Sequence, residues 1–150
     1  MKKFKFSLDS VLSYKQQILD ALQAEHGAIV AQVREKEEEL AQEWREYHQC
    51  NQEFQQKMGL GLPVTDALMY QSTLRAMERG IQQTTVELDE LKKIEEAKRA
   101  EVVEAKKEST SIEKLKDKKL QAYHKEEAKG EERFIEEFVT MTRLAGGVGI

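Results

Sequence analysis

Two stripes of apolar residues, separated by a single interruption, constrain this chain more than any other feature. The first runs through positions 8, 12, 15, 19, 22, 26, 29, 33, 36, 40, 43, 47, 50, 54 and 57. Ten of these fifteen are apolar, from Leu8 and Leu12 through Ile29, Val33 and Leu40 to Tyr47, Cys50 and Phe54. Steps of three and four held without a phase shift place these residues on one face of one long helix. The second stripe runs through 70, 74, 77, 81, 84, 88, 91, 95, 98, 102, 105, 109 and 112, from Tyr70 to Ile112. It then slips by about one residue, to Leu115, Leu120 and Tyr123, which implies a local change of winding.

The interruption, "KMGLGLPVTD", holds the only proline of the chain, Pro63. Gly59 is suited to the left-handed conformation that closes a helix, and Pro63 disfavours helix at Leu62. Thr65 is expected to cap the next helix and Asp66 to favour the positive end of its dipole. Ser7 is the expected N-cap of the first helix. The sequence therefore predicts helix 1 over about 8–57, a turn over about 58–64 and helix 2 over about 65–144. Gly146, Gly147 and Gly149 predict a frayed end over 145–150. Two long amphipathic helices joined by so short a connection fold back on each other, each burying the other's stripe. The predicted fold class is all-α, a single long antiparallel two-helix coiled-coil hairpin with a longer C-terminal helix.

With the turn centred near Gly61, Phe54 is expected to face Leu68, Leu40 the Ile81–Gln82 region, and Leu12 and Leu8 to face Ile112 and Leu115 respectively. Glu43 is expected opposite Arg79. Helix 1, at about 50 residues, spans roughly 75 Å. Helix 2 is longer, so residues from about Gln121 onward lack a partner within the chain. That overhang nonetheless carries Phe134, Ile135, Phe138, Val139, Met141 and Leu144 at helical spacing. A frayed helix would tolerate a few such residues, but their clustering favours a docking helix whose face another protein completes. Phe4 and Phe6 are expected at the same end.

Charge and composition exclude several functions. Charged residues make up 35% of the chain, with 28 acidic against 24 basic, for a net charge of −4. That balance fits a solvated coiled coil and argues against general nucleic-acid binding, which needs a basic face. No apolar run approaches the roughly 20 residues of a membrane span. The opening "MKKFKFSLDSVLSYK" has no apolar core, so it is not a secretory signal. Cys50 is the lone cysteine, which leaves no internal disulfide framework and fits a cytoplasmic protein.

Catalytic chemistry is likewise not expected. His48 and Cys50 are too few for a structural zinc site. The glycines of "AGGVGI" precede no helix, so they form no phosphate loop. No catalytic, cofactor-binding or metal-binding residue is expected, and no cofactor. Lys15, His26, Lys36, Glu95 and Lys98 stand at stripe positions, where their long stems are expected to lie along the seam. A centre this polar suits a hairpin that reshapes when it meets partners. Lysines crowd the terminal end, from Lys2, Lys3 and Lys5 to Lys106, Lys107, Lys114, Lys116, Lys118 and Lys119. Trp44, beside Tyr47, lies one position outside the seam, over the hairpin edge or as an anchor for a partner.

Three segments carry a family resemblance. "FKFSLDSVLSYKQ" resembles the opening of the flagellar type III export protein FliJ family. "SIEKLKDKKLQAYHKEEAKGEERFIEEF", 111–138, is similar to that family's C-terminal pattern, and "MGLGLPVTDALMYQSTL" to its hairpin region. The resemblance covers nearly the whole chain. It implies a non-enzymatic, cytoplasmic protein peripheral to the base of the flagellum, with no direct membrane insertion. It further implies a rod-like stalk that binds the hexameric flagellar export ATPase and promotes its ring assembly and turnover. The stalk would link the ATPase to the cytoplasmic domain of the export-gate membrane protein, and would escort flagellar substrate chaperones.

Carried over by position, the ATPase-binding residues are Phe4, Phe6, Leu8, Leu12, Tyr123, Phe134 and Phe138. The export-gate face falls on Glu43, Glu46, Cys50, Thr73, Met77, Gly80 and Thr84. The family has aromatic or leucine residues where this chain has Glu43, Glu46, Cys50 and Thr73. Trp44, Tyr47 and Phe54 stand close enough to replace them after a small rotation, so the gate set is Trp44, Tyr47, Cys50, Phe54, Thr73, Met77, Gly80 and Thr84. Two other functions fit the same seam: a helical-hairpin chaperone that cradles unfolded clients, and a passive scaffold dimerising through the overhang.

Overall fold

A computed structural model describes residues 2–148, with side chains up to residue 146. It contains two helices, α1 (Asp9–Leu60, 52 residues) and α2 (Val64–Val148, 85 residues), and no strand among the described residues. Glu, Lys, Gln, Ala and Leu dominate both, all good helix formers. Within each of two units the helices pair antiparallel, as the stripes predict. One unit joins residues up to 19 with those from 104 onward; the other is residues 20–103.

The ends of the helices differ in detail from expectation. Leu8, not Ser7, supplies the carbonyl that accepts the first helical bond, from Leu12 N–H at 2.8 Å, because Ser7 and Leu8 form a turn in which Asp9 N–H donates to Phe6 O at 3.1 Å. Asp9 then occupies the first turn, where its charge complements the dipole. Gly59 remains helical, and Gly61 takes the positive φ of 91° that ends α1. Its N–H donates to Met58 O at 3.3 Å. Pro63, not Thr65, caps α2: its carbonyl accepts from Ala67 N–H at 3.0 Å. A residue ahead of a helix has no helical use for an N–H, so proline costs nothing there. Asp66 sits in the first turn as expected. Only residues 61–63 join the helices. At the other end α2 runs to Val148. Gly149 and Ile150, the last residues of the expected fray, lie outside the described residues.

The shorter turn moves the register. Phe54 stacks on Tyr70 rather than Leu68, with ring centroids 5.3 Å apart. Glu43 accepts a hydrogen bond from Thr84 and forms no ion pair with Arg79. Moving the centre of the turn from Gly61 to Leu62 shifts each opposite position by two, which accounts for Phe54.

Every position of both stripes from Leu8 to Phe54 and from Tyr70 to Ile112 is buried or half-buried. Lys57 is exposed. In the 20–103 unit the core consists of Leu74, Ile81 and Leu88 with buried Thr84; in the terminal unit it is Phe6, Leu12 and Ala105 with buried Ser109. Among the described residues no large side chain is fully enclosed, because a helix pair has one seam and no second layer. Beyond Ile112 the stripe passes through Lys116, Leu120, Tyr123 and Glu127. Leu115, expected in it, is 38% exposed. Lys116 takes its place, half-buried, with its ammonium 2.9 Å from Oδ1 of the exposed Asp9.

Candidate functional site

The ATPase-binding set lies wholly in the terminal unit, and the structure divides it. Residues 2–8 run beside α2. Phe4 packs on Tyr123 with centroids 5.5 Å apart, and the Tyr123 hydroxyl donates to the Lys2 carbonyl. Phe6 is buried, with the Lys119 ammonium 5.9 Å from its ring centroid. Leu12 is buried and Leu8 half-buried. These five therefore serve the chain's own packing. The overhang consequently begins later than Gln121, since non-helical chain covers about twice as much length per residue as helix. Residues 128–146 are exposed throughout. On that stretch Phe134 (69%) and Phe138 (63%) lie open, as do Ile135, Val139, Met141 and Leu144. Exposed clusters of large apolar residues of this kind commonly mark interaction sites.

The gate set lies wholly in the 20–103 unit. Trp44 meets Tyr47 edge-on at 5.7 Å and stacks on His48 at 5.5 Å, forming an aromatic ridge on α1. Trp44 is exposed, and Tyr47 donates to Glu78 Oε1 at 2.9 Å, a bond that raises the phenol's pKa. Cys50 and Thr73 come together in an open hollow of about 310 Å³, also lined by Lys57, Leu62, Asp66, Met69 and Tyr70. Lys57 bonds the Tyr70 hydroxyl at 2.7 Å. Gly80 is exposed and Met77 half-buried. Phe54 is committed to its stack on Tyr70. Thr84 is buried in the seam, so as folded it offers no surface to a partner.

The polar stripe residues lie between the helices, and each bonds a carboxylate of the opposite helix or, for Glu95, a histidine. Lys15 meets Glu108 at 2.8 Å and Lys98 meets Glu25 at 3.0 Å. Lys36 meets Glu87 at 2.8 Å and Glu39 at 3.1 Å; Glu87 and then Glu39 hold its ammonium up to about pKa 12. His26 Nε2 lies 2.9 Å from Glu95 Oε1, and Arg99 reaches the same oxygen at 2.6 Å. Arg99 first and His26 second hold the Glu95 carboxyl below its ordinary value. Lys36 and then Gln83 do the same for Glu87.

A second apolar surface escaped the sequence reasoning. Met58, Leu60, Val64, Leu68 and Met69 are all exposed around the turn, Leu60 at 89%. Its signal was legible: between Met58 and Leu74 the only charge is Asp66. Among the described residues no three His, Cys, Asp or Glu side chains are placed to hold a metal ion, and no helix is long and apolar enough to cross a membrane.

A family model described as flagellar FliJ protein matches residues 4–146. No curated protein and no solved structure matches the chain.

Proposed function

The chain belongs to the flagellar FliJ family, a non-enzymatic component of flagellar export, and from that membership we propose that it is the stalk of the export ATPase. In this account the terminal unit binds the hexameric ATPase, promoting ring assembly and turnover from the cytoplasmic side of the flagellar base. The observation that carries the proposal is the apolar face of α2 beyond residue 128, whose Phe134 and Phe138 find no cover in their own chain. Burying two such rings in a partner contributes about 1.5–3 kcal/mol each. Phe4, Phe6, Leu8, Leu12 and Tyr123 act by holding the adjoining helices together.

The 20–103 unit links the ATPase to the cytoplasmic domain of the export-gate protein. Its contact surface is the Trp44–Tyr47 ridge with the hollow at Cys50 and Thr73, and escorted substrate chaperones also engage this protein. The test is titration of the purified export ATPase with the chain, reading turnover and stoichiometry. Raised turnover saturating near one chain per hexamer supports the stalk. Unchanged turnover, with suppressed aggregation of unrelated clients, supports a hairpin chaperone instead.

A further inference from the structure

Glu43 holds the one side-chain atom that, among the described residues, is buried without a hydrogen-bond partner, its Oε2. Its Oε1 accepts from Thr84 Oγ1 at 2.7 Å, and Thr84 is only 4% exposed. Among the described residues no cation forms an ion pair with Glu43. Lys36 is committed to Glu87 and Glu39, Arg45 to Gln42, and Arg79 forms no ion pair with Glu43. The layer lies between Ile81 and Leu88, 5% and 6% exposed, so this carboxylate sits beside the best-buried apolar residues of the unit. A buried carboxylate oxygen without a donor strongly favours any state in which water reaches it. The charged seam residues Lys15, His26, Lys36, Glu95 and Lys98 have partners of opposite charge or a histidine–carboxylate bond and lack this driving force.

We propose that the seam of the 20–103 unit is built to part at the Glu43–Thr84 layer, with α1 and α2 separating around residues 40–47 and 78–88 while flanking layers stay closed. Hydration of the Glu43 carboxylate drives the parting. The parted state uncovers Thr84, which the closed seam hides. A partner that contacts Thr84 binds only the parted state and thereby selects it. That use by the export gate rests on the function proposed above; the parting itself does not.

Hydrogen exchange on the free full-length chain tests the parting. Burial alone puts the protection maximum at 81–88. Parting puts a local minimum there and at 40–47, with amides exchanging at least tenfold faster than those at 29–33 and 91–95. Glu43→Leu is expected to raise protection in those segments at least tenfold, while Glu43→Gln, which keeps an unsatisfied polar atom, leaves them fast. A wild-type maximum at 81–88 overturns the proposal, whatever the variants do. Should Glu43→Leu not fold, the wild-type profile alone decides. Gate binding is measured separately, so a chain that parts but ignores the gate domain contradicts only the functional reading.

Discussion

Gly59 and Gly61 stand two residues apart in the same turn region, yet replacing each with alanine has opposite consequences. Gly61 has φ of 91°, where an L side chain is strained, so Gly61→Ala is expected to destabilise the chain by about 1–2 kcal/mol in urea unfolding. Gly59 is helical, and an added Cβ there meets nothing within 4 Å. Gly59→Ala should stabilise by about 0.5–1 kcal/mol. A loss at both positions would contradict the assignment of Gly61 as the residue that ends α1. The seam carboxylates make a second prediction. Glu87 and Glu95 have pKa values depressed in the fold by Lys36 and Arg99 respectively. Their contribution is present above the ordinary carboxylate value and is lost as pH falls through the depressed values. Melting temperature should therefore drop as acid is added below about pH 4.5. Glu87→Gln with Glu95→Gln should flatten that drop. Lys36 is the mirror case: its contribution holds below its ordinary value and is lost as pH rises through about 12.

At the scale of elements, what was legible in the sequence follows from periodicity. A stripe repeating in steps of three and four must lie on one helical face, so both seams and their antiparallel pairing could be read directly. The register could not, because it depends on where α1 stops. Gly59 and Gly61 are equally permissive as residues, and only the backbone decides which one takes the positive φ. A helix-to-helix comparison starts the overhang too early because it overlooks the reach of the non-helical residues 2–8. A lysine leaves no apolar signature, so the passage of the stripe through Lys116, whose ammonium meets the exposed Asp9, is not legible in the sequence. For the candidate sites, the sequence did not reveal that packing draws Phe6 and Thr84 inside. The exposed stretch of α2 yields its own prediction. Phe134→Ala with Phe138→Ala removes rings that touch solvent, so the melting temperature should change by less than about 2 °C. A drop of 5 °C or more, read by circular dichroism, would mean that this helix end packs within its own chain.

At the scale of the whole molecule, family membership gives a place in flagellar export, and each of the two units carries exposed side chains proposed here as a contact surface. Polar seams, an apolar helix end and an aromatic ridge suit a protein that acts by contact rather than by catalysis. The exposed turn residues Met58, Leu60, Val64 and Leu68 lie outside the proposed contacts, which share only Met69 with that apolar surface. The central claim is that the chain binds the export ATPase through the face of α2 beyond residue 128. The most direct measurement is the affinity of the purified export ATPase for the wild-type chain and for the Phe134→Ala, Phe138→Ala chain. The account predicts at least a tenfold weaker affinity for the variant, with equal loss of turnover stimulation at limiting concentration. Equal affinity for both chains, at unchanged melting temperature, would contradict it.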